Sequence, residues 1–161
     1  MTKSKISMAA RGVASIFTLT AAILMGTNSQ SIQVVDFIFT AKYTDWDSFR
    51  NFMIVNSIAS VLHFIAILLP SGTPVWRLIA GLDMLSCVVL VGCWGSALTC
   101  FEVLKNGSRH IGWAPICGAV PHFCSRALAA IVTSFIGLFI GFLFCCIDVH
   151  YLINPLLLTP N

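Results

Sequence analysis

Four long apolar runs separated by short polar stretches set the pattern of this chain: residues 8–26, 51–69, 78–100 and 127–147. Each is close to the roughly 20 residues that a helix needs to cross the hydrocarbon of a bilayer. None shows the period-two alternation of a barrel strand, and a backbone in lipid must satisfy its own polar groups. The runs therefore predict four transmembrane helices. The Pro and Gly of "PSGTPVWR" (70–77) stop the second run and fold the second and third into a hairpin. The expected fold is an all-α integral membrane protein, an antiparallel bundle of four helices. A head (1–7), outer loops (27–50 and 101–126), an inner turn (70–77) and a tail (148–161) complete the layout.

Composition agrees with that solvent. The chain has 161 residues, of which 58% are hydrophobic and 9% charged, against about 25% charged in soluble proteins. A chain this short could not hide so much apolar surface in one aqueous core. The net charge of +3 is small and scattered, which excludes nucleic acid as a partner. Lys3, Lys5 and Arg11 lead into the first run as they would in a signal peptide. No small-x-small cleavage site follows, so the run is read as a retained span. The same cations favour a cytosolic N-terminus, and an even number of spans brings the C-terminus to the same side.

Charges inside a span are costly and by default face a partner or a cavity. Within the four runs only Arg11 and Asp83 are charged. Both lie a few residues from the cytosolic end of their spans, which at 1.5 Å per residue is roughly 5–8 Å deep in one leaflet. They are expected to form an ion pair inside the bundle. Softer polar residues keep helical spacing: Ser15 and Thr18 after Arg11, and Asn56, Ser60 and His63 on the second span. These suit hydrogen bonds between helices. His63 has no second His or carboxylate at i±3 or i±4, so a metal site is not expected there. Gly137 and Gly141 form a GxxxG on the fourth span, and Gly92 and Ser96 repeat the spacing on the third. Such pairs let backbones approach closely, within one subunit or between two.

The seven cysteines divide by position. Cys87, Cys93 and Cys100 read as small packing residues of the third span. Cys145 and Cys146 close the fourth span at the cytosolic face, where palmitoylation can act. Cys117 and Cys124 lie within the second outer loop, beside His110 and His122. The spacing matches no zinc finger, and an exoplasmic compartment oxidises paired thiols, so a disulfide is expected over a metal site. Asn106-Gly107-Ser108 is a glycosylation sequon in the same loop. In the first outer loop, "VVDFIFTAKYTDWDSF" has the alternation of a short extended segment. Its Tyr43, Trp46 and Phe49 suit an interfacial aromatic belt.

Two stretches carry a family likeness. "KYTDWDSFRNFMIVNSIAS" resembles the loop-to-helix passage of the plant Casparian strip membrane domain proteins and their CASP-like relatives. "NGSRHIGWAPICGAVPHFCSR" is similar to that family's Trp-x-Pro-Ile-Cys…Phe-Cys-x-Arg signature, especially in its first CASP-like group. Arg11 and Asp83 fall where the family and the wider MARVEL-like group keep an Arg in span one and an Asp in span three. The resemblance implies a plasma-membrane scaffold without enzymatic activity or cofactor. It also implies homodimers, heterodimers or larger oligomers with related four-span proteins in the lipid bilayer. The first outer loop departs from the extended signature of the Casparian founders. A small transporter or channel subunit is the competing function.

The loop cysteines give a direct check of this layout. Under non-reducing conditions Cys117 and Cys124 should resist alkylation in intact membranes and become reactive after reduction; ready labelling of both without reductant would remove the disulfide.

Overall fold

The computed structural model describes residues 2–34, 37–68, 74–108 and 112–157. Most of the inner turn, together with Arg109 and His110, lies outside the described residues. Four helices long and apolar enough to cross a membrane dominate the fold. They are α1 (Thr2–Gly26), α2 (Asp47–Leu68), α3 (Pro74–Asn106) and α4 (Pro121–Leu157). Asp47 places a carboxylate in the first turn of α2, where the helix dipole favours it. Proline opens both α3 and α4, at a position whose N–H has no intrahelical acceptor.

The helices form a ring in which α1 packs on α2 and α4, and α3 packs on the same two. The α1/α3 and α2/α4 pairs therefore face each other along the diagonals. Helix lengths exceed the apolar runs. At 1.5 Å per residue, the 33 residues of α3 extend about 50 Å, well past a hydrocarbon layer of about 30 Å. Ser96 Oγ donates to Ser48 Oγ at 3.0 Å, at the start of α2. The residues of α3 beyond Ser96 thus stand above the level at which α2 begins.

The extended segment of the first outer loop is a hairpin, with β1 (Ser29–Val34) antiparallel to β2 (Phe37–Lys42) and Ile32 opposite Phe39. Ala41 is buried and Ile32 packs against the bundle, so one face of the hairpin caps the outer end. The aromatic residues that follow do not form a belt. Phe49 is fully buried, and Trp46 packs at a tilt against Phe49 and Phe123, with ring centroids 6.0 and 5.1 Å away. The cap draws them inward because it supplies apolar neighbours on the side that lipid would otherwise fill.

Close approach of α4 to α1 depends on the GxxxG. A methyl at Gly137 would stand 2.9 Å from Phe17 Cβ and 3.2 Å from Thr18 Cγ2. One at Gly141 would touch His63 and Ala14. The pair is spent within the subunit. Gly92 and Gly95 of α3, by contrast, have nothing within 4 Å of an added Cβ. Gly137→Leu should destabilise the detergent-solubilised protein by about 1–3 kcal/mol, the usual cost of overpacking. Gly92→Leu should leave the monomer's thermal unfolding unchanged.

Candidate functional site

The polar stripes of α1 and α2 run antiparallel, and this decides which residues meet. Arg11, Ser15 and Thr18 ascend one face of α1 while Asn56, Ser60 and His63 descend α2, all buried. Ser15 Oγ donates to the Ser60 carbonyl at 3.0 Å and lies 3.3 Å from its hydroxyl. One turn toward the inner end, both stripes converge on Asp83 of α3. Arg11 Nη1 donates to Asp83 Oδ2 at 2.8 Å across the α1/α3 diagonal. His63 Nδ1 stands 2.8 Å from Oδ1, close enough for charge contact but out of line for a hydrogen bond. That approach favours the tautomer with its proton on Nδ1, because a bare lone pair would face the carboxylate.

All three side chains are almost completely buried. An isolated carboxylate at this depth would be strongly disfavoured, and pairing with good geometry offsets most of that cost. One diagonal partnership therefore fixes α1, α2 and α3 in register. The other diagonal is tied at mid-depth, where Ser134 Oγ of α4 donates to Asn56 Oδ1 at 2.8 Å. Asn56 Nδ2 in turn donates to the Phe52 carbonyl at 2.9 Å. Trp94 Nε1 of α3 donates to Ile131 O of α4 at 3.0 Å.

The outer half of the core is apolar. Ala21, Met25, Phe49, Phe52, Ala97 and Ile131 fill it. Above them, the outer end is tied by side chains that sequence spacing did not single out. Asn28 Nδ2 donates to Phe123 O at 2.9 Å, and Gln30 Oε1 accepts from Phe123 N at 2.8 Å. Gln30 thereby satisfies one of the first-turn N–H groups of α4. Arg126 Nη2 donates to Thr27 Oγ1 at 3.0 Å. Cys117 and Cys124 are joined, with Cα atoms 5.6 Å apart, and hold the second outer loop to the start of α4.

Other predicted positions are spread over the surface. Asn106 ends α3, exposed, its Nδ2 donating to Glu102 Oε2 at 2.8 Å. At the inner end of α4, Cys145 is buried and Cys146 exposed. Among the described residues, no group of three metal-ligating side chains comes together. Helical spacing placed His63 on the polar stripe of the second span but did not name Asp83 as its partner. The signal for that pairing was depth. In an antiparallel hairpin His63 lies level with Arg11, near the inner end of its span.

This geometry joins the comparison with known proteins. A model of the Casparian strip membrane protein domain matches residues 1–140. The chain belongs to this family. CASP-like protein 1C2 of Populus trichocarpa is 34% identical over 155 residues, covering 96% of each chain. CASP-like protein 1C1 of Vitis vinifera is 36% identical over 137 residues, covering 85% of this chain and 86% of its own. CASP-like protein 1C1 of Arabidopsis thaliana is 33% identical over 143 residues, covering 89% and 87%. No solved structure matches the chain. The match makes it a CASP-like membrane protein with four spans, the resemblance having rested on the loop signature and the two intramembrane charges.

The polar contacts should rank by charge. Asp83→Asn breaks the buried Arg11–Asp83 pair and should cost about 3–5 kcal/mol. The Asn56–Ser134 coupling in a double-alanine cycle should be about 0.6 kcal/mol, as for hydrogen bonds in lipid. Thermal unfolding in one detergent measures both, and equal effects would contradict this ordering.

Proposed function

We propose that this CASP-like protein is a non-enzymatic scaffold of the plasma membrane. It self-associates, assembles with related four-span proteins and organises a membrane subdomain or wall-modifying partners. Both termini face the cytosol, the disulfide and sequon lie outside, and Asn106 carries the glycan. Of the two inner thiols, the exposed Cys146 is the better acceptor for an acyl chain and the buried Cys145 the worse.

One observation carries the choice of scaffold over transporter. The polar file formed by Arg11, His63, Asp83, Ser15, Ser60, Asn56 and Ser134 ends at mid-bundle, and the apolar outer core closes the route beyond it. Ion or proton pathways in membranes are lined by ionisable or hydrated groups through their length. Here the polar groups are spent joining helices, which leaves lipid-facing surfaces such as Leu85, Val88 and Ile16 exposed. The open Cβ positions at Gly92 and Gly95 provide a place where a neighbouring helix could approach α3 closely.

Differently tagged copies co-reconstituted at low density should co-purify, and Gly92→Leu should reduce that association without lowering thermal stability. The reading fails if the copies stay separate and liposomes show a proton or ion flux that Asp83→Asn abolishes.

A further inference from the structure

A cleft of about 360 Å³ opens between the outer ends of α2 and α3, and the scaffold reading makes no use of it. Its lining includes Trp46, Ser48, Ser96, Thr99, Cys100 and Trp113. The volume lies within the range of small-molecule pockets, and a mostly apolar wall with a few polar groups is their usual make-up.

Position comes first. The Ser96–Ser48 hydrogen bond sets the floor of the cleft at the level where α2 begins. The exposed Asp47–Arg50 ion pair, 2.9 Å apart, places that level in the head-group layer, since an exposed pair is not stable in hydrocarbon. From Ser96 the cleft rises along α3 past Thr99 and Cys100 to Leu104, about 12 Å at 1.5 Å per residue. It therefore lies in and just above the outer head groups, continuous with the lipid-facing surface below.

Construction comes second. Trp113 is held over the cleft by a folded-back loop. Ser108 N donates to Trp113 O at 2.9 Å, and Trp113 N donates to Ser108 O at 3.0 Å. Gly107 makes the turn at a positive φ of 70°, a conformation glycine adopts freely. Ile116 N donates to Leu104 O at 2.9 Å, and the Cys117–Cys124 disulfide fixes the far end of the loop. Trp46 is fixed by tilted ring contacts with Phe49 and Phe123. The backbone that carries Trp113 and the ring of Trp46 are thus positioned before any ligand arrives.

Chemistry comes third. Among the described residues no charged side chain lines the cleft, so they supply a phosphate head group with no counter-ion there. Two indoles offer flat faces and the hydroxyls offer hydrogen bonds. Ser48 accepts from Ser96, which leaves its own proton to donate. Thr99 Oγ1 donates to Gly95 O at 2.9 Å, which leaves its lone pairs to accept. A neutral ring that is apolar on its faces and hydroxylated at its edge satisfies each of these features. That is the chemistry of a pyranose.

We propose that the cleft binds the uncharged sugar head group of an outer-leaflet glycolipid, with the ring against Trp113 and Trp46 and its hydroxyls on Ser48 and Thr99. The lipid tails would run down the groove-side surface of α3 into the bilayer.

The test uses the full chain in phosphatidylcholine nanodiscs carrying a photoactivatable glucosylceramide. Cross-links should concentrate on the cleft segments of α2, α3 and the Trp113 loop. Trp113→Ala should reduce them by about tenfold, equivalent to one lost stacking contact, while Trp113→Tyr should keep most of them. Because Trp113 is 58% exposed, the alanine variant should unfold at the wild-type temperature. Cross-links spread evenly over the lipid-facing helices and unchanged in Trp113→Ala would overturn the site, leaving ordinary boundary lipid. Equal labelling by a photoactivatable sterol would overturn the sugar assignment. Loss of the signal in millimolar free cellobiose would overturn the lipid source in favour of a soluble glycan.

Discussion

A carboxylate surrounded by helices in a bilayer cannot be left alone, and the inner half of this protein is organised around that constraint. Asp83 needs partners from the protein itself, because neither lipid tails nor bulk water can serve it there. The Arg11 guanidinium arrives from the diagonal helix and the His63 ring from an adjacent one, each 2.8 Å away. Apolar surfaces in lipid slide past one another at little cost, since tails are as apolar as leucine. A shared carboxylate does not permit sliding. Displacing α1 or α2 by one turn would separate a buried charge from its partner, so the triad sets the register on which the remaining contacts depend. Ser15 meets Ser60 one turn away, and α4 seats Gly137 and Gly141 against α1 and the His63 ring.

The outer half solves the same assembly problem differently. Its core is aromatic and aliphatic, and its ties are backbone-directed side chains, a disulfide and a hairpin that covers the end of the bundle. This division has a functional consequence. Among the described residues the polar groups reach only halfway through the bundle, which supports the proposed scaffold over a transporter. The portion of α3 beyond Ser96, which rises past the start of α2, carries the second loop folded back on it. It is also where the cleft between Trp46 and Trp113 forms.

Much of this was legible in the sequence because lipid is a demanding solvent. Span number followed from run length, and the Arg11–Asp83 partnership followed from two charges at equal depth. His63 was legible as a polar residue between helices, whereas its approach to Asp83 follows only from antiparallel register. Apolar length marks the hydrocarbon, whereas helices continue wherever backbone bonds and caps allow. The run ending at Cys100 therefore did not reveal that α3 continues to Asn106. The turn inward of Phe49 and Trp46 was hidden for a related reason. Aromatic residues at a span's end suit lipid or protein equally, and only the hairpin cap decides between them.

The central claim, that opposite charges at positions 11 and 83 hold the bundle together, is tested most directly by reversal. Arg11→Asp and Asp83→Arg should each reduce the yield of monodisperse protein extracted from membranes, and the double reversal should recover a substantial part of it. Single variants as abundant as the wild type, or a double variant no better than the worse single, would contradict the account.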